Sequence, residues 1–187
     1  MNAIEISREI LQELENTITQ VDPAETGAVV DAVLQAKRVF VAAAGRSFLM
    51  IRGFAMRLMH MGFEAYVVGE TVTPAINSED LLVIASGSGE TGTLQVIAKK
   101  AKKIGAKLAV ITINPDSSIG READYVIRIP AVSPKDAKVS GASVQPGANT
   151  FEQSVLLVGD AMVIEIIGIR DIKDENGVLM SRHANLE

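Results

Sequence analysis

The chain has 187 residues, of which 48% are hydrophobic, with a formal net charge of -5 and no Cys or Trp. That length suits one domain spanning 1–187 with a substantial core, and the apolar content excludes global disorder. The negative charge argues against a nucleic-acid partner, and the lack of Cys excludes disulfides and thiolate metal sites. Lys99, Lys100, Lys102 and Lys103 share one predicted helix and read as its solvated side. No apolar run is long enough to span a bilayer, and the N-terminus lacks the basic-then-apolar pattern of a signal peptide. A reducing cytoplasm is compatible with this composition and is the expected location. With an aromatic fraction of only 4%, base-stacking platforms are not expected.

In chain order, Ile10, Leu11, Leu14 and Ile18 fall on one face of a first amphipathic helix. Asp22-Pro23 is a cap and first-turn Pro, opening a second helix toward Ala36. Arg38 to Ala42 is a short buried strand running into Gly45-Arg46-Ser47. The next helix carries Leu49, Phe54, Leu58 and Met59 inward and ends at Gly62. Glu64–Val68 and Leu81–Ala85 are further strands, and a Gly-rich loop follows the latter at once. A helix with Leu94, Ile97, Ala98, Ala101 and Ile104 on one face stops at Gly105. Leu108–Thr112 and Tyr125–Ile129 complete the strands. A looser Pro, Ser and Gly segment runs from Pro130 to Thr150, then an apolar helix from about Phe151 to Ile169, then a polar tail. Continuously apolar strands alternating with helices predict a three-layer α-β-α sandwich around about five parallel strands. A helical arm precedes it. Ligands of such sheets collect at the carboxyl ends of the strands, where both Gly-containing loops lie.

Ser86-Gly87-Ser88-Gly89-Glu90-Thr91 joins a buried strand to an amphipathic helix. Gly87 and Gly89 let the backbone turn tightly and bring N–H groups to an anion. Ser86, Ser88 and Thr91 add hydroxyls, and the helix directs its positive end to the same spot. A turn that merely caps the helix needs neither the three hydroxyls nor both glycines, so anion binding is the better reading. The Walker pattern and the G-x-G-x-x-G fingerprint are both missing, which favours a phosphate monoester over a nucleotide.

This hexapeptide after a buried strand resembles the sugar isomerase (SIS) domain. Further segments are similar to the 6-phospho-3-hexuloisomerase family. They are Gly45-Arg46-Ser47, the run from Phe54 to Gly62, Thr112-Ile113-Asn114-Pro115 with Ser118-Ile119-Gly120, Phe151-Glu152-Gln153, and His183-Ala184-Asn185-Leu186-Glu187. The resemblance covers nearly the whole chain. It implies an SIS-like, flavodoxin/Rossmann-type sandwich and interconversion of D-arabino-hex-3-ulose 6-phosphate with fructose 6-phosphate. That is a step of formaldehyde fixation in the ribulose monophosphate pathway. It also implies no metal or organic cofactor, and a homotetramer with active sites shared between subunits. Phe48 departs from the Gly usual after the Arg-Ser pair and bears on the fine shape of the first loop.

Moving a carbonyl between C2 and C3 asks for a base that shuttles a proton between the carbons and a group that moves protons between the oxygens. The resemblance makes Glu152 the first choice for the carbon base, in the first turn of the last helix, although dipole preference alone can put an acid there. It makes His183 the partner for oxygen proton transfer or ring opening, reaching a neighbouring subunit's site. Glu90, at the edge of a phosphate loop, is expected to turn toward the sugar hydroxyls as a second acid–base candidate. Arg46 is placed to pair with phosphate or polarise substrate oxygens, with Gly45 and Ser47 beside it. His60 reads as structural. Two other readings stay open: an isomerase of another phosphosugar, and a non-catalytic sugar-phosphate sensor. The acidic first helix, with Glu5, Glu9, Glu13 and Glu15, disfavours the DNA-binding arm that a sensor usually carries.

Overall fold

The computed structural model of the chain describes residues 1–132, 143–147 and 149–186. Five strands, β1 Val39–Ala43, β2 Ala65–Val67, β3 Leu81–Ala85, β4 Lys107–Thr112 and β5 Tyr125–Arg128, form one sheet of order β2-β1-β3-β4-β5. Every pairing is parallel. Alternate residues of each strand face opposite layers. Val39, Val41, Leu81 and Val83 enter a core covered by α2 (Pro23–Gln35), α3 (Gly45–His60) and α5 (Asn149–Ile169). Phe40, Leu82, Ile84 and Val110 enter a smaller core under α4 (Gly92–Ile104). Both faces of the sheet are therefore dry, which is why the strands read as unbroken apolar runs. Each fully buried aliphatic side chain contributes about 1.5–3 kcal/mol of transfer free energy.

Local chemistry sets the helix ends. Asn2 Oδ1 accepts from the Ile4 and Glu5 amides, each at 3.0 Å, and opens α1 (Ala3–Ile18). Asp22 accepts from the Ala24 amide at 2.8 Å with Pro23 in the first turn, as expected from the sequence. Gly105, at φ +96°, closes α4 in the left-handed conformation that a Cβ would strain. Helix α1 packs on α5, and α6 (Glu175–Met180) packs on α3.

Several expectations need correction. The tail after α5 includes α6, which its polar composition concealed. Helix α3 begins at Gly45, so Arg46 and Ser47 lie in its first turn and not in a preceding loop. Phe48 is therefore helical, and its ring joins the larger core. Leu11, Leu49, Met59 and Ile104 are exposed. On α3 the inward stripe is Ser47, Ile51, Phe54, Ala55 and Leu58, at helical spacing, and Leu49 and Met59 lie off it. Much of the looser segment between Pro130 and Thr150, and Glu187, lies outside the described residues.

The amino end of the sheet is closed by charge. Arg38 donates to both oxygens of buried Asp80, at 3.1 and 2.7 Å, and the Asn77 amide adds a bond of 2.7 Å. Removing the guanidinium strands a buried carboxylate. Arg38→Ala should destabilise the fold, because it leaves the buried Asp80 carboxylate without its cation, read as a lowered urea midpoint.

Candidate active site

Strand order reverses between β1 and β3, because the chain leaves β1 outward to β2 and returns to β3 on the other side. The carboxyl ends of β1 and β3 thus flank a crevice, the place where open α/β sheets bind ligands. Ala43 pairs with Ala85 at the last rung. Gly45 follows the first strand at φ +60° and starts α3. Ser86 to Thr91 follows the third and leads into α4.

The Ser86–Thr91 loop is held from behind. Its Gly87 carbonyl accepts from the Ile113 amide at 3.1 Å and from Thr112 Oγ1 at 3.2 Å. The Gly89 carbonyl accepts from the Ile119 amide at 3.2 Å. Within the loop, Ser86 Oγ accepts from the Gly89 amide and Ser88 Oγ from the Glu90 amide, both at 3.2 Å. Among the described residues, the amides of Gly87 and Ser88 find no such acceptor. Thr91 makes no side-chain capping bond, which leaves its hydroxyl at the mouth of α4. Gly89 has φ +62°, and a Cβ there would collide with Ser117 Oγ. Two N–H groups, a hydroxyl and a helix N-terminus are the parts of an anion site.

The last helix meets this loop directly. A Cβ at Gly87 would sit 3.3 Å from Phe151 Cδ1, so the Phe151 ring seats on bare backbone. Glu152, the next residue, accepts from Arg46 Nη1 at 2.8 Å. Arg46 Nη1 also donates to Asn149 Oδ1 at 2.7 Å. The Glu152 side chain is 14% exposed and that of Arg46 43%. Gly45, Arg46, Ser47, the Ser86–Thr91 loop and Glu152 thus gather at one edge, although the chain separates them by up to 107 positions. Arg46 is tied to Glu152 here, a partner that the sequence reading did not name.

Glu90 and His183 lie differently. The Glu90 carboxylate accepts from the Ser118 amide at 2.7 Å, from Ser118 Oγ at 2.6 Å and from Gln95 Nε2 at 3.2 Å. It joins the phosphate loop to the turn ending at Gly120. His183 stacks on His60 with ring centroids 5.7 Å apart, at the opposite end of α3 from Arg46. A 16-residue helix separates those ends by roughly 24 Å. His183 is therefore remote from Glu152 of its own chain.

Asn149 and Gln95 were not singled out from the sequence, and Ser118 entered only within a family-like segment, with no partner named for it. Asn149 had a local signal, since Asn is a favoured residue at a helix start. Nothing local marks the bond from Ser118 to Glu90, which lies 28 positions away, whereas Gln95 reaches Glu90 from five residues on, in the first turns of α4. Among the described residues, no group of three or more His, Cys, Asp or Glu could hold a metal ion. No described helix is long and apolar enough to cross a membrane.

A crevice at the switch point, with a Ser/Gly loop and a carboxylate at its rim, is the class of arrangement in which an open α/β sheet takes a small anionic ligand. The SIS domain profile matches residues 32–163. The chain is 44% identical over 188 residues to the 3-hexulose-6-phosphate isomerase of Bacillus subtilis, covering 100% of both. It is 42% identical to that of Mycobacterium gastri, over 95% of this chain and 88% of the relative. A crystal structure of a Methanococcus jannaschii protein, which infers for that protein a molecular function of 3-hexulose-6-phosphate isomerase, is a further similar chain. It is 32% identical, covers 100% of both chains and superposes with a TM-score of 0.81. The chain belongs to the SIS domain family and, within it, to the family of these isomerases.

Two outcomes follow from this geometry. Gly87→Ala puts a methyl 3.3 Å from Phe151 Cδ1, so the ring must shift by a few tenths of an ångström; inorganic phosphate binding should weaken by up to about tenfold, read by calorimetry. The second concerns His60, which is buried with Nδ1 unpartnered among the described residues. Burial, then the charges of Arg57 and His183, hold its pKa below the ordinary 6.5. The unfolded chain then binds the proton more readily, so stability present above pH 6.5 is lost as pH falls below it. His60→Gln should flatten this acid slope of the urea midpoint.

Proposed function

We propose that the chain interconverts D-arabino-hex-3-ulose 6-phosphate and D-fructose 6-phosphate through an enediol, as a step of formaldehyde fixation. The observation that carries this reading is the contact of Phe151 with Gly87 of the anion loop, Glu152 being the next residue in the chain and paired with Arg46. Full-length likeness to relatives named for this reaction supports it. Phosphate is held by the free amides of Gly87 and Ser88, by Thr91 and by the N-terminus of α4, with Ser86 and Gly89 shaping the loop. Glu152 takes the proton from C2 of the 3-ketose and returns it to C3. Arg46 holds that carboxylate in place and, with Gly45, faces the substrate oxygens, while Ser47, whose side chain is buried, offers its amide from the first turn of α3. Glu90 is the alternative base. The reaction so written needs no metal or organic cofactor.

His183 moves protons between the oxygens, and opens the fructofuranose ring, in the site of a neighbouring subunit. Its distance from Glu152 of its own chain supports sharing between subunits. A homotetramer is the assembly we assign, in the cytoplasm. The open apolar groove between α1 and α5, about 440 Å³ and lined by Leu11, Leu14, Leu156 and Leu157, supports such an assembly.

Fructose 6-phosphate incubated with the protein and a hexulose-phosphate synthase should release formaldehyde. Folded protein that binds fructose 6-phosphate without release would overturn the reaction. Glu152→Gln should keep substrate binding but lose solvent proton exchange at C2 and C3 by about 10²–10⁴-fold; undiminished exchange moves the role to Glu90. The 3-ketose has O6 esterified and cannot form a five- or six-membered ring, whereas fructose 6-phosphate is mostly cyclic. His183→Ala should therefore slow the reaction from fructose 6-phosphate more than its reverse in pre-steady-state kinetics, and equal losses would remove the ring-opening role.

A further inference from the structure

Helix α1 carries several acids, and one of them differs from the rest. Glu5 and Glu15 are exposed and Glu9 and Glu13 are half-buried, but Glu13 also receives three hydrogen bonds from consecutive residues just ahead of α5. Its Oε1 accepts from the Val144 amide at 2.7 Å. Its Oε2 accepts from Ser143 Oγ at 2.8 Å and from Gln145 Nε2 at 3.1 Å. Gln145 Nε2 also donates to Thr150 Oγ1 at 3.1 Å, and Thr150 lies in the first turn of α5. Hydrogen bonds to an ionised acceptor are roughly twice as strong as neutral ones.

The orientation of Gln145 follows from this carboxylate. Its side chain is buried, and its Oε1 has no partner among the described residues. Turning the amide over would face Oε1 toward the carboxylate, which cannot donate, and lose that bond. Burial by itself would raise the pKa of Glu13, but the bonds from Val144, Gln145, Ser143 and Thr150 outweigh it and hold the value below the ordinary 4.5. The carboxylate is thus charged throughout the neutral range.

The first turn of α5 is consequently gripped from two sides. Arg46 holds Asn149 and Glu152 on the crevice side. Glu13, through Gln145, holds Thr150 on the other. We propose that Glu13 is a positioning residue for the reaction, setting through Gln145 and Thr150 the first turn of α5 that aims Glu152. This rests on the role given to Glu152 above. The phosphate loop is braced by Thr112, Ile113 and Ile119, and among the described residues no bond joins it to Glu13. Loss of Glu13 should accordingly disturb the acid–base step and leave phosphate anchoring intact.

The test uses the full chain with Glu13→Ala, Glu13→Gln and Gln145→Ala, steady-state kinetics by coupled formaldehyde release, and amide hydrogen exchange over 143–152. Glu13→Ala should lower kcat about 10–100-fold, as expected for a misaimed catalytic group, with KM unchanged and faster exchange at Val144 and in the first turn of α5. Glu13→Gln should fall between it and the parent, because a carboxamide oxygen can still accept from Val144. A parental kcat in Glu13→Ala whose 143–145 amides exchange freely would overturn the proposal, as would parental exchange over 149–152. If Glu13→Ala does not fold, parental kcat in both Glu13→Gln and Gln145→Ala would overturn it. A parent protein that releases no formaldehyde would instead overturn the function proposed above, while the exchange experiment still decides whether Glu13 holds the first turn.

Discussion

A parallel sheet buried on both faces has no room for polar chemistry except at its two ends. Val39, Val41, Leu81 and Val83 seal one face, and Phe40, Leu82, Ile84 and Val110 the other. The amino end is closed by the Arg38–Asp80 pair, whose carboxylate has no exposed area. The carboxyl end stays open because the strand order reverses there, between β1 and β3. Parallel strands also deliver the following helices in one sense, so the N-termini of α3 and α4 arrive at that end together. The N-terminus of α5 joins them through Phe151. Three positive helix ends around a crevice suit an anionic ligand before any side chain is considered.

Much of what surrounds the crevice supports it without facing it. Gly89 and Gly120 allow backbone to approach where side chains would collide, at Ser117 and at the Pro115 carbonyl respectively. The Thr112–Gly120 segment thereby comes close enough to brace the phosphate loop through Ile113, Ile119 and Ser118. Glu90 contributes two short bonds to Ser118, a charge-assisted link in a loop that would otherwise repel a carboxylate from its ligand. The Thr112–Pro115 and Ser118–Gly120 segments that resemble the isomerase family are therefore legible as a support for the loop.

The sequence by itself determined the sheet, because burial on both faces demands uninterrupted Val, Ile, Leu and Ala. The third strand, Leu81–Ala85, has the same bounds in the sequence reading and in the fold. It also determined the anion loop, since glycines and hydroxyls between a strand and a helix are a local pattern with a local cause. Helix faces were less legible: Leu11, Leu49 and Ile104 belong to amphipathic patterns, yet their exposure depends on which neighbours pack alongside. What only the tertiary structure decided were the pairings across the chain. Arg46 with Glu152, Glu90 with Ser118, Glu13 with Val144, and His183 with His60 each join residues that no periodicity relates. A side chain's type limits what it can bond to, but its partner is chosen by the packing of helices against a sheet, and that choice is made by the whole core at once.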